Sequence, residues 1–179
     1  MSHALRLISF LIAVLYLVAQ IVVCSTAIFR AKSAAMTTEQ TIWQQRLRAE
    51  DAGTVLAVRD ALCPGYNTAF QLMEGAVVGG IGLGVLVLLL TLLRLLFAKQ
   101  QDFGVPILIL LVLAFVCAVI SLAVSLVAWE RGFCMDDPTL LTTVVPYKQQ
   151  NWKMVEGFAM VCIALFSSIA NIILGFFVS

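Results

Sequence analysis

Charge is scarce in this sequence: only 12% of its 179 residues are Asp, Glu, Lys or Arg, where a soluble domain carries about a quarter. Histidine is scarcer, with His3 alone. A site built on a histidine base is thereby nearly excluded, and no His, Cys or carboxylate pair has metal-ligand spacing. No Asn-X-Ser/Thr sequon occurs, so N-linked glycosylation is not expected. The long apolar runs hold no Asp, Glu, His or Lys, and their single Arg, Arg94, sits near the end of the second. Proton relays and ion-coupled transporters usually keep a carboxylate, His or Lys at depth, which weighs against transport. Eleven basic and ten acidic residues leave a net charge of +1, a balance that suggests no nucleic-acid partner. Neither enzymatic activity nor a cofactor is expected.

What the chain has in abundance is hydrophobic residues, 62% of the total, with a mean hydropathy of +1.04. Such a chain needs a lipid bilayer around it. Length predicts one domain. The apolar residues gather into four blocks, about 7–29, 75–97, 103–129 and 157–178, each near the roughly 20 residues that cross a hydrocarbon core about 30 Å thick. All four are expected to be helices, because lipid offers no partner to an unpaired backbone N–H or C=O. The first block is read as an anchor, since it is longer than the roughly 7–15 apolar residues of a signal-peptide core. The fold class is therefore an all-α four-transmembrane-helix bundle with two loops on one face, 30–74 and 130–156.

An even number of spans puts both termini and the turn Ala98 to Asp102 on the other face. Arg6, Arg94 and Lys99 lie on that side with a single acid, Asp102, whereas the eight basic residues of the two loops share them with nine acids. The short, acid-poor side is expected to be cytosolic, although the raw count of basic residues points the other way. In the first loop, Thr37 and Gln40 have capping-box spacing and good helix formers follow, which predicts a short helix over 38–52 with Trp43 and Leu47 on one face. Val55, Val58 and Leu62 repeat at helical spacing until Cys63-Pro64-Gly65 breaks the pattern. The second loop reads as irregular, with turn markers at Asp136-Asp137-Pro138 and Val145-Pro146. Trp129, Phe133 and Trp152, among Glu130, Arg131 and Lys153, look like anchors at the membrane interface.

Gly75, Gly79, Gly80 and Gly84 include two four-residue spacings and are expected to let helices approach closely in lipid, where contact rests on van der Waals packing. A nucleotide-binding glycine loop is excluded by the missing third glycine and the lack of a preceding strand. Gln20 and Asn171 are the amides at depth and are expected to make interhelical hydrogen bonds. Cys24, Cys117 and Cys162 fall inside spans, where a thiol behaves as a small apolar group. Cys63 and Cys134 remain, one in each loop on the same face. A disulfide between them is expected if that face is oxidising; pairing with another chain is the alternative.

The layout resembles the amastins, small surface glycoproteins of kinetoplastid parasites. The closest stretch is Glu156-Gly157-Phe158-Ala159-Met160-Val161 with Ile169-Ala170-Asn171-Ile172-Ile173-Leu174, which is similar to that family's last span. The family's first-loop motif has two cysteines, and here that loop holds Cys63 alone. Claudin-like proteins share the topology but need a Trp and a cysteine pair in that loop. The resemblance implies a plasma-membrane surface protein with a structural, adhesive or host-interface role. Its expected partners are the lipid bilayer and proteins, or a second copy of the chain, met through the outer loops. An accessory subunit of a larger membrane complex is the other reading.

Overall fold

The computed structural model describes residues 3–33, 36–49, 53–96, 104–135 and 144–178. Four long helices carry most of them: α1 (His3–Ser25), α2 (Pro64–Leu96), α3 (Gly104–Glu130) and α4 (Glu156–Val178). Each is long and apolar enough to cross a membrane. Each also packs on two neighbours, α1 on α2 and α4, and α3 on α2 and α4, so the helices close a ring in chain order. Phe97, Phe103 and the turn between them lie outside the described residues, as do Asp136-Asp137-Pro138.

Helix α2 begins eleven residues before the expected start of its span. Pro64 can open a helix because its missing N–H would have had no partner there. Tyr66, Phe70, Met73 and Val77 then bury one face at helical spacing. The 33 residues of α2 measure about 50 Å at 1.5 Å per residue, so its first turns stand clear of a 30 Å hydrocarbon core.

The helix expected over 38–52 is not formed over its described residues, 38–49, where the first loop is a sheet instead; 50–52 lie outside the described residues. Strands β1 (Phe29–Lys32), β2 (Met36–Gln40), β3 (Gln44–Ala49) and β4 (Gly53–Ala57) are joined by β5 (Lys153–Met154) from the second loop. Their order is β4-β3-β2-β1-β5, with every neighbouring pair antiparallel. Gln44, Gln45, Arg46 and Arg48 have reasonable helix propensity, but propensity is a weak prior that tertiary context overrides. Here a period of two wins. Phe29, Gln40, Gln45 and Leu56 align across the strands on one face, and that face covers a core. Thr41 fixes the turn between β2 and β3, its hydroxyl accepting from the N–H groups of Trp43 (3.2 Å) and Gln44 (3.1 Å). The repeat Val55, Val58, Leu62 runs along β4 and into a single 3₁₀ turn, Val58–Asp60.

The sheet grows directly out of the bundle. Where the chain leaves α1, the Ile28 carbonyl accepts from Val155 N–H (3.0 Å) and the Ala27 carbonyl from Gly157 N–H (2.9 Å). A Cβ at Gly157 would sit 2.5 Å from that Ala27 oxygen, so only glycine allows this approach. The second loop adds a 3₁₀ turn, Tyr147–Gln150, and a bridge between Phe133 and Val144. Of the three aromatic residues read as interfacial anchors, Trp152 belongs to the core under the sheet, and Trp129 and Phe133, half-buried, pack against that core. Trp152 is 6% exposed and packs on Tyr147 at 4.7 Å between ring centroids. Trp129 stacks on Phe29 and Phe133 meets Tyr66 edge-on. They pack there because the buried end of the sheet around Phe29 must be covered. Trp43 lies at the rim and donates its indole N–H to the Cys24 carbonyl (2.9 Å), satisfying one of the carbonyls a helix end leaves open.

Inside the bundle, Tyr16 of α1 donates its hydroxyl to the Ala114 carbonyl of α3 (3.1 Å) and accepts from Gln20 (3.2 Å). Gln20 thus bonds within its own helix, and Tyr16 makes the cross-bundle contact. Asn171 of α4 lies 2.9 Å from the Ser9 hydroxyl of α1. In the orientation that satisfies both ends, its amide donates to Ser9 and accepts from Ala13 N–H (3.2 Å). The glycines divide. A Cβ at Gly80 would lie 3.0 Å from Tyr16 and Gln20, and one at Gly84 would lie 3.2 Å from the Tyr16 ring; at Gly79 the nearest atom is Cys117 Sγ at 3.9 Å, and Gly75 has nothing within 4 Å. Gly80→Leu and Gly84→Leu should therefore each destabilise the bundle by about 1–3 kcal/mol, the usual result of overpacking. Gly75→Leu should leave the melting temperature in detergent nearly unchanged, and equal losses at all three positions would contradict this packing.

Candidate functional site

The site is built around Gln40, the last residue of β2, which is fully buried. Its side-chain N–H donates to the Thr41 carbonyl (2.7 Å). Its amide oxygen accepts from the Tyr66 hydroxyl (2.8 Å) and the Tyr147 hydroxyl (3.4 Å). One amide therefore joins the sheet, the start of α2 and the second loop. Burial pushes the Tyr147 phenol well above its ordinary pKa, and the neighbouring Tyr66 acts in the same direction. Tyr147 stays protonated at neutral pH and remains a donor.

The two sequence-expected loop cysteines come together beside this network. Cys63, directly before α2, is bonded to Cys134 with their Cα atoms 6.1 Å apart. Cys24, Cys117 and Cys162 are free. Two residues of left-handed φ bring the chain back after α3, Gly132 at 65° and Cys134 at 56°. A Cβ at Gly132 would collide with the Val144 carbonyl, so the bend needs glycine.

Between the disulfide, β4 and the second loop lies a cavity of about 390 Å³. Leu56, Leu62 and Val144 line it with the two phenols, and Gln45, Asp60 and Gln150 add polar groups. Such a lining holds an apolar side chain or small apolar group and orients it with a few hydrogen bonds. Among the described residues, no three His, Cys, Asp or Glu side chains converge as metal ligands. Of the residues singled out in the sequence, Cys63 and Leu62 line this cavity, Cys134 is bonded to Cys63, and Gln40, read there as part of a helix cap, is the centre of the hydrogen-bond network; Gly75, Gly79, Gly80, Gly84, Gln20 and Asn171 all lie in the bundle helices. The roles of Gln40, Tyr66 and Tyr147 were not legible, because nothing in a polar loop marks which amide will be buried.

Gln40→Leu removes the shared acceptor and strands two buried phenols, at about 1–3 kcal/mol for each unsatisfied group. Tyr147→Phe removes one donor and leaves Gln40 bonded to Tyr66, so it should cost about 1 kcal/mol. Denaturation in detergent should rank the two variants in that order, and a larger loss for Tyr147→Phe would contradict the central role of Gln40.

Comparison with known proteins agrees with this architecture. No curated protein matches the chain. The family model of the amastin surface glycoproteins matches residues 10–174, which includes the sheet, both disulfide cysteines and parts or all of the four helices. The chain belongs to the amastin surface glycoprotein family and is an integral membrane surface protein.

Proposed function

We propose that the protein lies in the plasma membrane with both termini in the cytosol and presents the sheet outside. There it serves as a non-enzymatic structural or adhesive contact surface. The Cys63–Cys134 disulfide carries this reading. Such bonds persist in oxidising compartments and on cell surfaces, and are rare in the cytosol. A cytosolic sheet would be reduced. The contact role is supported by the cavity and by β4 beside it, an edge strand with Val55 62% and Leu56 46% exposed. Unpaired edges with apolar side chains are templates for association, and apolar cavities with few polar groups take side chains of a partner.

Thiol labelling tests the orientation. In a background where Cys24, Cys117 and Cys162 are replaced by alanine, Thr37→Cys on β2 should react with an impermeant reagent on intact cells. Ala4→Cys at the start of α1 should react only after permeabilisation. The reverse pattern would overturn the proposal, and stoichiometric partners co-migrating in mild detergent would favour an accessory subunit.

A further inference from the structure

The sheet has a second face, opposite the one that covers the core, and its side chains follow from the strand register. Lys153, Arg30, Glu39, Arg46 and Val55 align across all five strands; Lys32, Thr37, Arg48 and Gly53 form the next row. Alternation with a period of two puts both rows on one side. Five of the chain's eleven basic residues therefore share one face with a single carboxylate from the strands, Glu39. Near-neutral net charge hides this segregation.

The pairing of Arg30 with Lys153 sets like charges opposite each other, which by itself disfavours a sheet. Two acids relieve it: the Arg30 guanidinium contacts Glu39 at 2.9 Å and Glu156 at 3.5 Å. Arg46 is held by the Gln44 amide, whose oxygen accepts from it at 2.6 Å once the amide is turned to satisfy both groups. Lys32, Arg46, Arg48 and Lys153 have no carboxylate at ion-pair distance among the described residues. Lys32 and Lys153 are exposed. With Arg30 and Asn151 they line a groove of about 300 Å³, room for one sulfated sugar unit.

The geometry points to a binding face for an anionic polysaccharide, a sugar chain bearing sulfate or carboxylate groups that lies across the strands. Neighbouring strands are about 4.8 Å apart and alternate residues about 6.7 Å, so the cations form a regularly spaced array suited to a repeating polyanion. The face carries no aromatic side chain among the described residues, and single-stranded nucleic acid binds through aromatic stacking. Because the opposite face covers the helix ends, the cationic face is turned away from the bundle and its lipid.

The test uses the full chain in detergent micelles on immobilised heparin, with uncharged dextran as the control matrix. Wild type should be retained at physiological salt on heparin and not on dextran. The double variant Lys32→Gln with Lys153→Gln should elute earlier and bind about tenfold more weakly, as expected for two lost exposed ion contacts. Lys32→Arg with Lys153→Arg should restore retention. Lys148→Gln, which removes an exposed cation paired with Glu130 at 3.1 Å away from the sheet, should elute with wild type. Failure of wild type to bind, or an equal loss in Lys148→Gln, overturns the proposal. Tighter binding to single-stranded DNA or to phosphatidylserine vesicles than to heparin overturns the assignment of the ligand as a sugar chain.

Discussion

The end of the five-stranded sheet that buries Phe29 and Gln40 cannot stand uncovered in water. Here its cover comes from residues distant in sequence, and the Cys63–Cys134 bond holds them in place. β5 is only two residues long and pairs with β1 alone, too little to hold the second loop. The disulfide ties that loop to the point where α2 leaves the sheet. Tyr147, Trp152 and Phe133 can then close over Phe29, Tyr66 and Phe70. Closing a sequence separation of 71 residues restrains the unfolded chain by about 4 kcal/mol at most, because the membrane already restrains both loops. The cavity borders Cys63 and depends on the same closure.

The bundle below is held by different means. Lipid supplies no hydrophobic drive between helices, so close packing and a few buried hydrogen bonds must suffice. Gly80 and Gly84 make room for Tyr16, which reaches α3, while Asn171 joins α4 to α1. Gly157 links these two regions. By bringing the first turn of α4 against the Ala27 carbonyl, it lets the α1–α4 contact continue upward as β1 beside β5. The sheet is in this sense an extension of a helix pair.

How much of this could be read from the residues follows from the strength of each signal. Four spans were legible because lipid leaves the backbone no alternative to a helix, and the loop cysteines because three of the five fall inside spans. The sheet was not. Over 38–48, glutamines and arginines carry helix propensity while burial alternates only weakly, and the decisive pairing of β1 with β5 joins Arg30 to Lys153, far apart in sequence. Trp152 suggested a membrane anchor because indole rings are common at that depth, yet an uncovered sheet claimed it first. Gly75 has the same spacing from Gly79 as Gly80 has from Gly84, but it faces open space; spacing alone does not say which side of a helix meets a neighbour. The cationic face was invisible because it exists only in strand register.

The central claim is that the two long loops fold as one covalently closed unit within a single chain. Peptide mapping by mass spectrometry, without reduction and after trapping of free thiols in intact cells, tests it most directly. The account predicts a linked pair of peptides containing Cys63 and Cys134 from monomeric protein, with Cys24, Cys117 and Cys162 recovered as free thiols. Cys63 recovered free, or linked to another chain, would contradict it.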